Sequence, residues 1–275
     1  MAGMSGGLVG AGIVVLTLAA TACGYDRNSN LTDPENGDTP ASADPRGYAI
    51  SAAVGRSDFR VFRATGDIGP TVAEFRAALG DPSNGGTAGP LKEGRREIKW
   101  DGAPAEMPGD FFNTVVKAGA IFTTDGSGFH NSANDFADIN PNYADDFNAF
   151  SSPKTFMPLG SSSLTTTFRV PGSDTPAATR GFGLVFSDVE REGAASIMLL
   201  DAAGRSLGRY NAPVRSDPNG FSFVGVVFES PIVAQVRITS GQAALGADVQ
   251  DLSDGGNRDL VVMDDYLYGE PQEIR

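Results

Sequence analysis

The sequence predicts an all-β protein: a jelly-roll-like β-sandwich preceded by a short helical segment. Turn-forming residues are abundant, with 35 glycines and 17 prolines among 275 residues. Phenylalanine occurs 17 times, whereas charged residues make up only 20% of the chain. Many turns, many aromatic residues and few charges are together typical of short strands packed as two sheets.

Period-two alternation supports individual strands. Leu164, Thr166 and Phe168 share one face of a predicted strand. The run 221–229 is apolar on both faces, which is typical of a central strand. Turn residues such as Asp201 to Gly204 separate the strands. The predicted strands are 97–100, 120–123, 164–170, 181–189, 196–200, 221–229, 233–239 and 260–268.

The chain divides into four predicted parts. Residues 1–22 are a signal peptide, 23–46 a disordered tether, 47–94 a small segment with a short helix and a connector, and 95–270 the β-sandwich domain.

The helix is predicted over 72–79. Thr71 and Glu74 match a capping box, with Thr71 as the N-cap. Val72, Phe75 and Leu79 fall on one face, so we expect the helix to pack on the main domain.

The N-terminus predicts export. The uncharged apolar run 8–22 is shorter than the ~20 residues of a membrane-spanning helix and has the length of a signal-peptide core. It ends at Cys23, the single cysteine, in a sequence that resembles a bacterial lipobox. We expect a lipid on Cys23 that anchors the protein to the cell envelope, at the outer membrane or the cell surface. The alternatives are plain secretion after Ala22, and an uncleaved anchor.

Several functional classes are disfavoured by composition. A net charge of −13 argues against nucleic acid as a partner. His130 is the single histidine, so zinc hydrolases are nearly excluded and any Ser-His-Asp triad would have to use it. The pattern Gly-x-Ser-x-Gly occurs at 3–7 and 204–208, but neither match lies between a predicted strand and a predicted helix, as a nucleophile elbow requires, and the chain has no Walker phosphate loop.

The residues 95–269 resemble the jelly-roll ectodomains of exported bacterial proteins, including many that carry PEP-CTERM sorting tails, and carbohydrate-binding modules. The resemblance implies a carbohydrate-binding or surface-matrix role, often with a structural calcium ion, and brings no catalytic motif. The sorting tail itself is missing, and Cys23 would replace it as the anchor. The matching stretches are 96–101, 181–189, 201–204, 223–228, 238–241 and 262–269.

The last predicted strand carries two adjacent carboxylates, Asp264 and Asp265. Because successive side chains in a strand point to opposite faces, one of the two must face inward. A buried carboxylate needs a partner. The resemblance implies a calcium ion held with the first strand, where Glu97 and Asp101 are the candidate ligands. The alternative is that N–H groups or an arginine satisfy the buried carboxylate.

Two further acidic stretches are candidates for cation binding. Asp251, Ser253 and Gly256 weakly resemble a calcium loop, although the EF-hand glutamate is missing, and the alternative is a solvated loop. Asp188 ends a strand, where it could cap a turn or bind a cation.

Residues 129–150 mix Asn and Asp with aromatic residues in a long irregular stretch. Sugars are bound by aromatic faces flanked by amides and carboxylates, so this stretch is a candidate glycan site. The alternative is that its aromatic residues pin the loop to the core. The candidate residues are Asn134, Asp135, Phe136, Tyr143, Asp145 and Asp146.

These features favour a non-catalytic protein that binds glycan or extracellular matrix, with polysaccharide or another cell-surface molecule as its partner. One alternative is a structural or adhesion protein without a small ligand. Another is a glycan hydrolase or lyase using Asp145, Asp146, Asp188 or Glu190, which would require two carboxylates ~5–10 Å apart across a groove.

Overall fold

The computed structural model describes residues 59–113, 118–151 and 153–274. The predicted signal peptide, the tether and the lipid on Cys23 lie outside the described residues. Within the described residues, one α-helix, α1 (Gly69–Leu79), and two 3-10 turns, Phe111–Asn113 and Pro141–Asp145, accompany the strands. The strands are β1 (Phe59–Thr65), β2 (Arg95–Ile98), β3 (Glu106–Pro108), β4 (Ala120–Thr123), β5 (Gly128–Ser132), β6 (Thr155–Leu159), β7 (Ser163–Arg169), β8 (Pro176–Ala178), β9 (Gly181–Ser187), β10 (Ala195–Leu200), β11 (Ser206–Asn211), β12 (Phe221–Phe228), β13 (Gln235–Ser240), β14 (Val262–Gly269) and β15 (Gln272–Glu273).

The strands form two antiparallel sheets, which confirms the predicted all-β sandwich. The first sheet has eight strands in the order β1-β12-β9-β14-β6-β5-β3, with β2 also paired to β14. The second has seven in the order β11-β10-β13-β7-β8-β15, with β4 also paired to β7. Neighbours in the sheets are often distant in the chain, so loops of different origin meet at the sheet ends.

Aromatic rings fill the space between the sheets. Trp100 stacks on Phe156, with ring centroids 3.7 Å apart and planes 3° from parallel. Phe122 and Tyr266 pack edgewise or tilted against this pair. The indole Nε1–H of Trp100 donates to the Asp264 carbonyl at 3.0 Å, so the single tryptophan is both buried and satisfied.

Helix α1 covers part of the outer face of the first sheet. Its buried residues Val72, Phe75 and Leu79 are those predicted from their spacing. The ring of Phe75 lies over Gly183 and Gly225, which are directly paired across β9 and β12. A β-carbon would lie 2.5 Å from the Phe75 ring at Gly183 and 2.6 Å at Gly225, so glycine is required at both. The two glycines thus form the hollow that seats the helix.

The start of α1 differs from the prediction. The helix begins at Gly69 with Ile68 as its N-cap, and the Gly69 N–H donates to the Asp67 carboxylate at 3.3 Å. The capping box assigned to Thr71 and Glu74 is therefore wrong: Pro70 fits the first helical turn without an N–H group, and the helix begins before Thr71.

All eight predicted strands are present, with ends shifted by up to two residues. Strand β1 lies within the predicted small segment, 47–94, and pairs along its whole length with β12, so it extends the first sheet. In the part of the chain that the structure describes, no helix is long and apolar enough to cross a membrane.

Candidate cation site and sheet groove

Three of the four acids predicted to hold calcium lie close together beside β14. Glu97 on β2 is paired with Leu267, and the β14 register shifts between Met263 and Tyr266. This irregularity corrects the expectation that Asp264 and Asp265 point to opposite faces, because both carboxylates reach the Ser151 hydroxyl. We call Glu97, Asp264 and Asp265 the bulge acids.

The bulge acids have protein partners. Arg76 on α1 donates to Glu97 at 2.9 and 3.1 Å and to Asp265 at 3.3 Å. Asp264 accepts the N–H groups of Phe150 and Ser151. Burial, together with the charge of Asp265, raises the pKa of Asp264 to about 8.

Asp101, the fourth predicted ligand, is exposed in a turn. The contacts of the bulge acids are of the kind named in the alternative prediction, an arginine and N–H groups. Calcium at these four residues stays a prediction.

The candidate glycan loop is anchored by its aromatic residues. Phe136 and Tyr143 are buried, and the Tyr143 hydroxyl hydrogen-bonds to the carbonyls of Gly246 at 2.9 Å and Val249 at 2.7 Å. These rings are therefore turned into the protein and cannot stack on a sugar. Asn134 and Asp145 are exposed, and Asp135 is half-buried.

Asp146 differs from Asp135 and Asp145, the other two acids among the predicted glycan ligands. It is buried, and burial with the nearby charges of Asp254 and Asp251 raises its pKa to about 7. It therefore belongs with the acids of the 248–259 loop. His130, in β5, lies with its Nε2 3.1 Å from the Oδ2 atom of Asp138.

A second group of acids forms where β9 ends. Asp188, Glu190 and Asp251 each place one carboxylate oxygen within 4.8 Å of the others, and we call these three the acidic cluster. Asp188 follows β9 directly and has a φ of 69°, in the left-handed region. Asp251 is fixed by the N–H of Leu260 at 2.7 Å and by Ser253.

Among the described residues, one guanidinium makes ion pairs with the acidic cluster. Arg215 Nε lies 2.5 Å from Asp188 Oδ1, and Nη2 lies 2.7 Å from Glu190 Oε1. Asp259 lies nearby and accepts the N–H groups of Glu190 and Arg191 through Oδ2.

The ionised forms of the carboxyl groups in and beside the acidic cluster are disfavoured by burial. Burial raises the pKa of Asp188 to about 8, although Arg215 opposes it. Burial and then the charge of Asp251 raise the pKa of Glu190 to about 7. Burial also raises the pKa of Asp259 to about 6. Desolvation thus outweighs the attraction of Arg215 at Asp188 and Glu190 and that of Arg191 at Asp259.

The acidic cluster leaves buried oxygens without hydrogen bonds. Asp188 Oδ2 and Glu190 Oε2 are shielded from solvent and accept no hydrogen bond, and the same holds for Asp259 Oδ1 nearby. Buried polar atoms in proteins are nearly always satisfied. The oxygens are of the type that calcium and magnesium prefer.

A polar row crosses the outer face of the second sheet. In register across five strands lie Arg209, Met198, Arg237, Thr165 and Thr123. Both arginines are exposed. The row runs through a groove of about 430 Å³, which we call the sheet groove. Its other lining residues are Thr124, Asp125, Ser163, Leu164, Ser196, Gln235, Ile238 and Thr239.

A larger hollow of about 770 Å³ lies near the ends of β8 and β15 and the turn between β10 and β11. Its carboxylates are Asp201 and Glu273. Asp201 accepts the N–H groups of Ala203 and Arg205 and pairs with the Arg205 guanidinium, contacts that lower its pKa despite partial burial. Asp201 therefore closes the turn.

No protein-family model and no curated protein sequence matches the chain. Among solved structures, the chain is similar to a mutant of the carbohydrate-binding module CBM29-2, with 7% identity over 55% of this chain and 92% of the module, at a TM-score of 0.23. It is also similar to the enzymatically active domain of bacteriophage CBA120 tailspike protein 4, with 18% identity over 48% of this chain and 20% of that one, at a TM-score of 0.18. Scores this low transfer neither a ligand nor an activity to this chain.

Sequence patterns pointed to the parts of these sites but not to their assembly. Asp188 and Asp251 each appear in an acidic stretch, but they are 63 residues apart in the chain, and no sequence pattern indicates that they come together. The sheet groove was missed. Its signal is the alternation of polar outward residues, as in Gln235, Arg237 and Thr239 along β13.

Proposed function

We propose that this chain is a non-catalytic glycan-binding protein, exported and held at the cell envelope by a lipid on Cys23. The sheet groove is the binding site. The observation that carries the proposal is the row of Arg209, Met198, Arg237, Thr165 and Thr123, which lies across the strands in an open groove.

The groove chemistry suits a sugar chain. Hydroxyl and amide groups such as those of Thr165, Thr239 and Gln235 can exchange hydrogen bonds with sugar hydroxyls, and Met198 offers an adaptable apolar contact. The α-helix lies on the other sheet, so this face is open within the described residues. An extended ligand can therefore lie along the row.

The two arginines favour an acidic glycan. Among the described residues, no hydrogen bond or ion pair engages the Arg237 guanidinium, and Arg209 donates to Ser196 Oγ at 3.1 Å. The chain as a whole carries a net charge of −13, so two exposed guanidinium groups in one groove are a local exception. Guanidinium groups bind carboxylates in a two-pronged geometry, which suits uronic acid residues.

The placement of carboxylates supports binding without cleavage. Asp125 is the one acid among the described residues that line the sheet groove. Glycosidases of the common types need two carboxyl groups flanking the sugar. The acidic cluster is largely buried and shares no residue with the groove.

The test measures binding of residues 24–275, the predicted mature chain without Cys23, to a panel of polysaccharides. Affinity electrophoresis would compare polygalacturonate and alginate with neutral galactomannan, and released reducing ends would be measured in parallel. We expect retardation by the uronate polymers and no product. Arg237→Ala should weaken binding about tenfold or more. Arg60→Ala, an exposed arginine on the first sheet, is the matched control and should bind normally.

Two outcomes would overturn the proposal. Release of reducing ends would make the protein a glycan-degrading enzyme. An absence of binding to every polymer would leave a structural or adhesion role as the better explanation.

A further inference from the structure

We propose that the acidic cluster, Asp188, Glu190 and Asp251, binds one calcium ion. The site is independent of the proposed glycan function, because none of its ligands lines the sheet groove. It also differs from the calcium site predicted at Glu97, Asp101, Asp264 and Asp265.

The spacing of the carboxylates matches a shared ion. Calcium–oxygen distances are about 2.3–2.6 Å, so two oxygens bound to one ion lie at most about 5 Å apart. The three carboxylates each offer an oxygen within 4.8 Å of the others. No large movement is needed to bring all three onto one cation.

The unsatisfied oxygens are an independent indication of a ligand. Asp188 is fully buried, and its Oδ2 has no hydrogen-bond partner. Glu190 Oε2 is likewise buried and without a partner. A desolvated carboxylate oxygen without a donor is strongly unfavourable. A cation between the carboxylates would supply the missing interaction.

The charge balance indicates a divalent ion. Ion binding requires all three carboxylates to be ionised, and with the Arg215 guanidinium paired to Asp188 and Glu190 the cluster then carries two excess negative charges. One calcium ion cancels that excess. The all-oxygen donor set favours calcium, magnesium or manganese over zinc, and irregular loops favour calcium over magnesium because magnesium demands octahedral geometry.

The scaffold holds the ligands in place without the ion. Asp188 donates its N–H to Gly220 at 3.0 Å, which fixes its left-handed conformation just after β9. Asp251 is held through Leu260 and Ser253. Calcium would therefore tie the 251–260 loop to the end of β9, two segments far apart in the chain.

The test uses residues 24–275, stripped with chelator and then dialysed against calcium chloride. We expect about one calcium per chain by mass spectrometry and a rise in the unfolding temperature of about 5 °C at saturation. Magnesium at the same concentration should give a smaller rise.

Two variants, Glu190→Gln and Asp251→Asn, should lose the calcium-dependent rise. The matched control Asp265→Asn removes one bulge acid and should keep it. Unfolding temperatures in chelator give each variant its own baseline, so a variant that is merely less stable can be recognised. Since Glu190→Gln removes a buried charge, we expect its baseline to be equal to or above that of the parent protein.

A chain that binds no calcium at millimolar concentration would overturn the proposal. So would a calcium response that survives in both cluster variants. If Asp265→Asn abolished the response instead, the ion would belong to the bulge acids.

Discussion

The bulge acids and the acidic cluster contain the same kind of side chain at similar burial, yet their surroundings differ. Around the bulge acids, Arg76, the Ser151 hydroxyl and two N–H groups meet the carboxylates. Around the acidic cluster, Arg215 pairs with Asp188 and Glu190, and each of these two keeps an oxygen without a hydrogen-bond partner. The burial of carboxylates alone therefore does not identify a ligand site. The feature that separates the two groups is a carboxylate oxygen without a hydrogen-bond partner.

The largest expected effect comes from removing Arg76, the arginine that contacts two of the bulge acids. Arg76→Ala removes the arginine partner of Asp265 and one of the two arginine partners of Glu97, which keeps Arg95 at 3.2 Å. We expect a loss of about 2–3 kcal/mol in the free energy of unfolding, with or without calcium. Urea denaturation measures it. If calcium restored the stability lost in Arg76→Ala, the bulge acids would also bind the ion, and the distinction between the two groups would be wrong.

The pH dependence of stability should be dominated by Asp264 among the bulge acids. Its pKa is about 8 in the folded protein, against about 3.9 in an unfolded chain. Below about pH 4 both states are protonated, and the stability contribution is fully present. Between about pH 4 and 8 the unfolded state loses its proton first, so stability falls as pH rises.

Asp264→Asn tests this dependence. The amide oxygen can still accept from Phe150 and Ser151, while the titrating proton is gone. Relative to the parent protein, the variant should gain about 2 kcal/mol in unfolding free energy between about pH 6 and pH 8. Denaturation at the two pH values with saturating calcium checks this. Parallel stability curves for variant and parent would show that Asp264 is ionised throughout.

Arg215→Ala should have opposite effects on calcium affinity and on stability without calcium. Removing the guanidinium raises the negative charge of the acidic cluster, so we expect calcium affinity to increase about tenfold by calorimetry, while stability in chelator falls. An affinity lowered by the substitution would mean that Arg215 shapes the site more than it competes with the ion.

The sequence predicted the architecture well because strand alternation is local. The 221–229 run became β12, and Val72, Phe75 and Leu79 became the buried helix face. The sites were harder to predict because each combines side chains from segments that are far apart in the sequence. The β14 irregularity that puts Asp264 and Asp265 on one serine hydroxyl has no signature in the alternation. The meeting of Asp188 with Asp251 is set by the packing of two loops.

The smallest expected effects come from the serine next to each group, and they separate the groups most cleanly. Ser253 donates to Asp251 through N–H at 2.7 Å and through its hydroxyl at 2.6 Å, whereas the Ser151 hydroxyl contacts Asp264 and Asp265. Ser151→Ala should cost about 1 kcal/mol of stability and leave calcium affinity unchanged. Ser253→Ala should keep the backbone contact and lower calcium affinity by a few-fold, about 0.5–1 kcal/mol, because the carboxylate is less well oriented. If calcium affinity fell with Ser151→Ala and not with Ser253→Ala, calcium would bind at the bulge acids, although their carboxylates have protein partners. The oxygens without hydrogen-bond partners in the acidic cluster would then not mark the ion site.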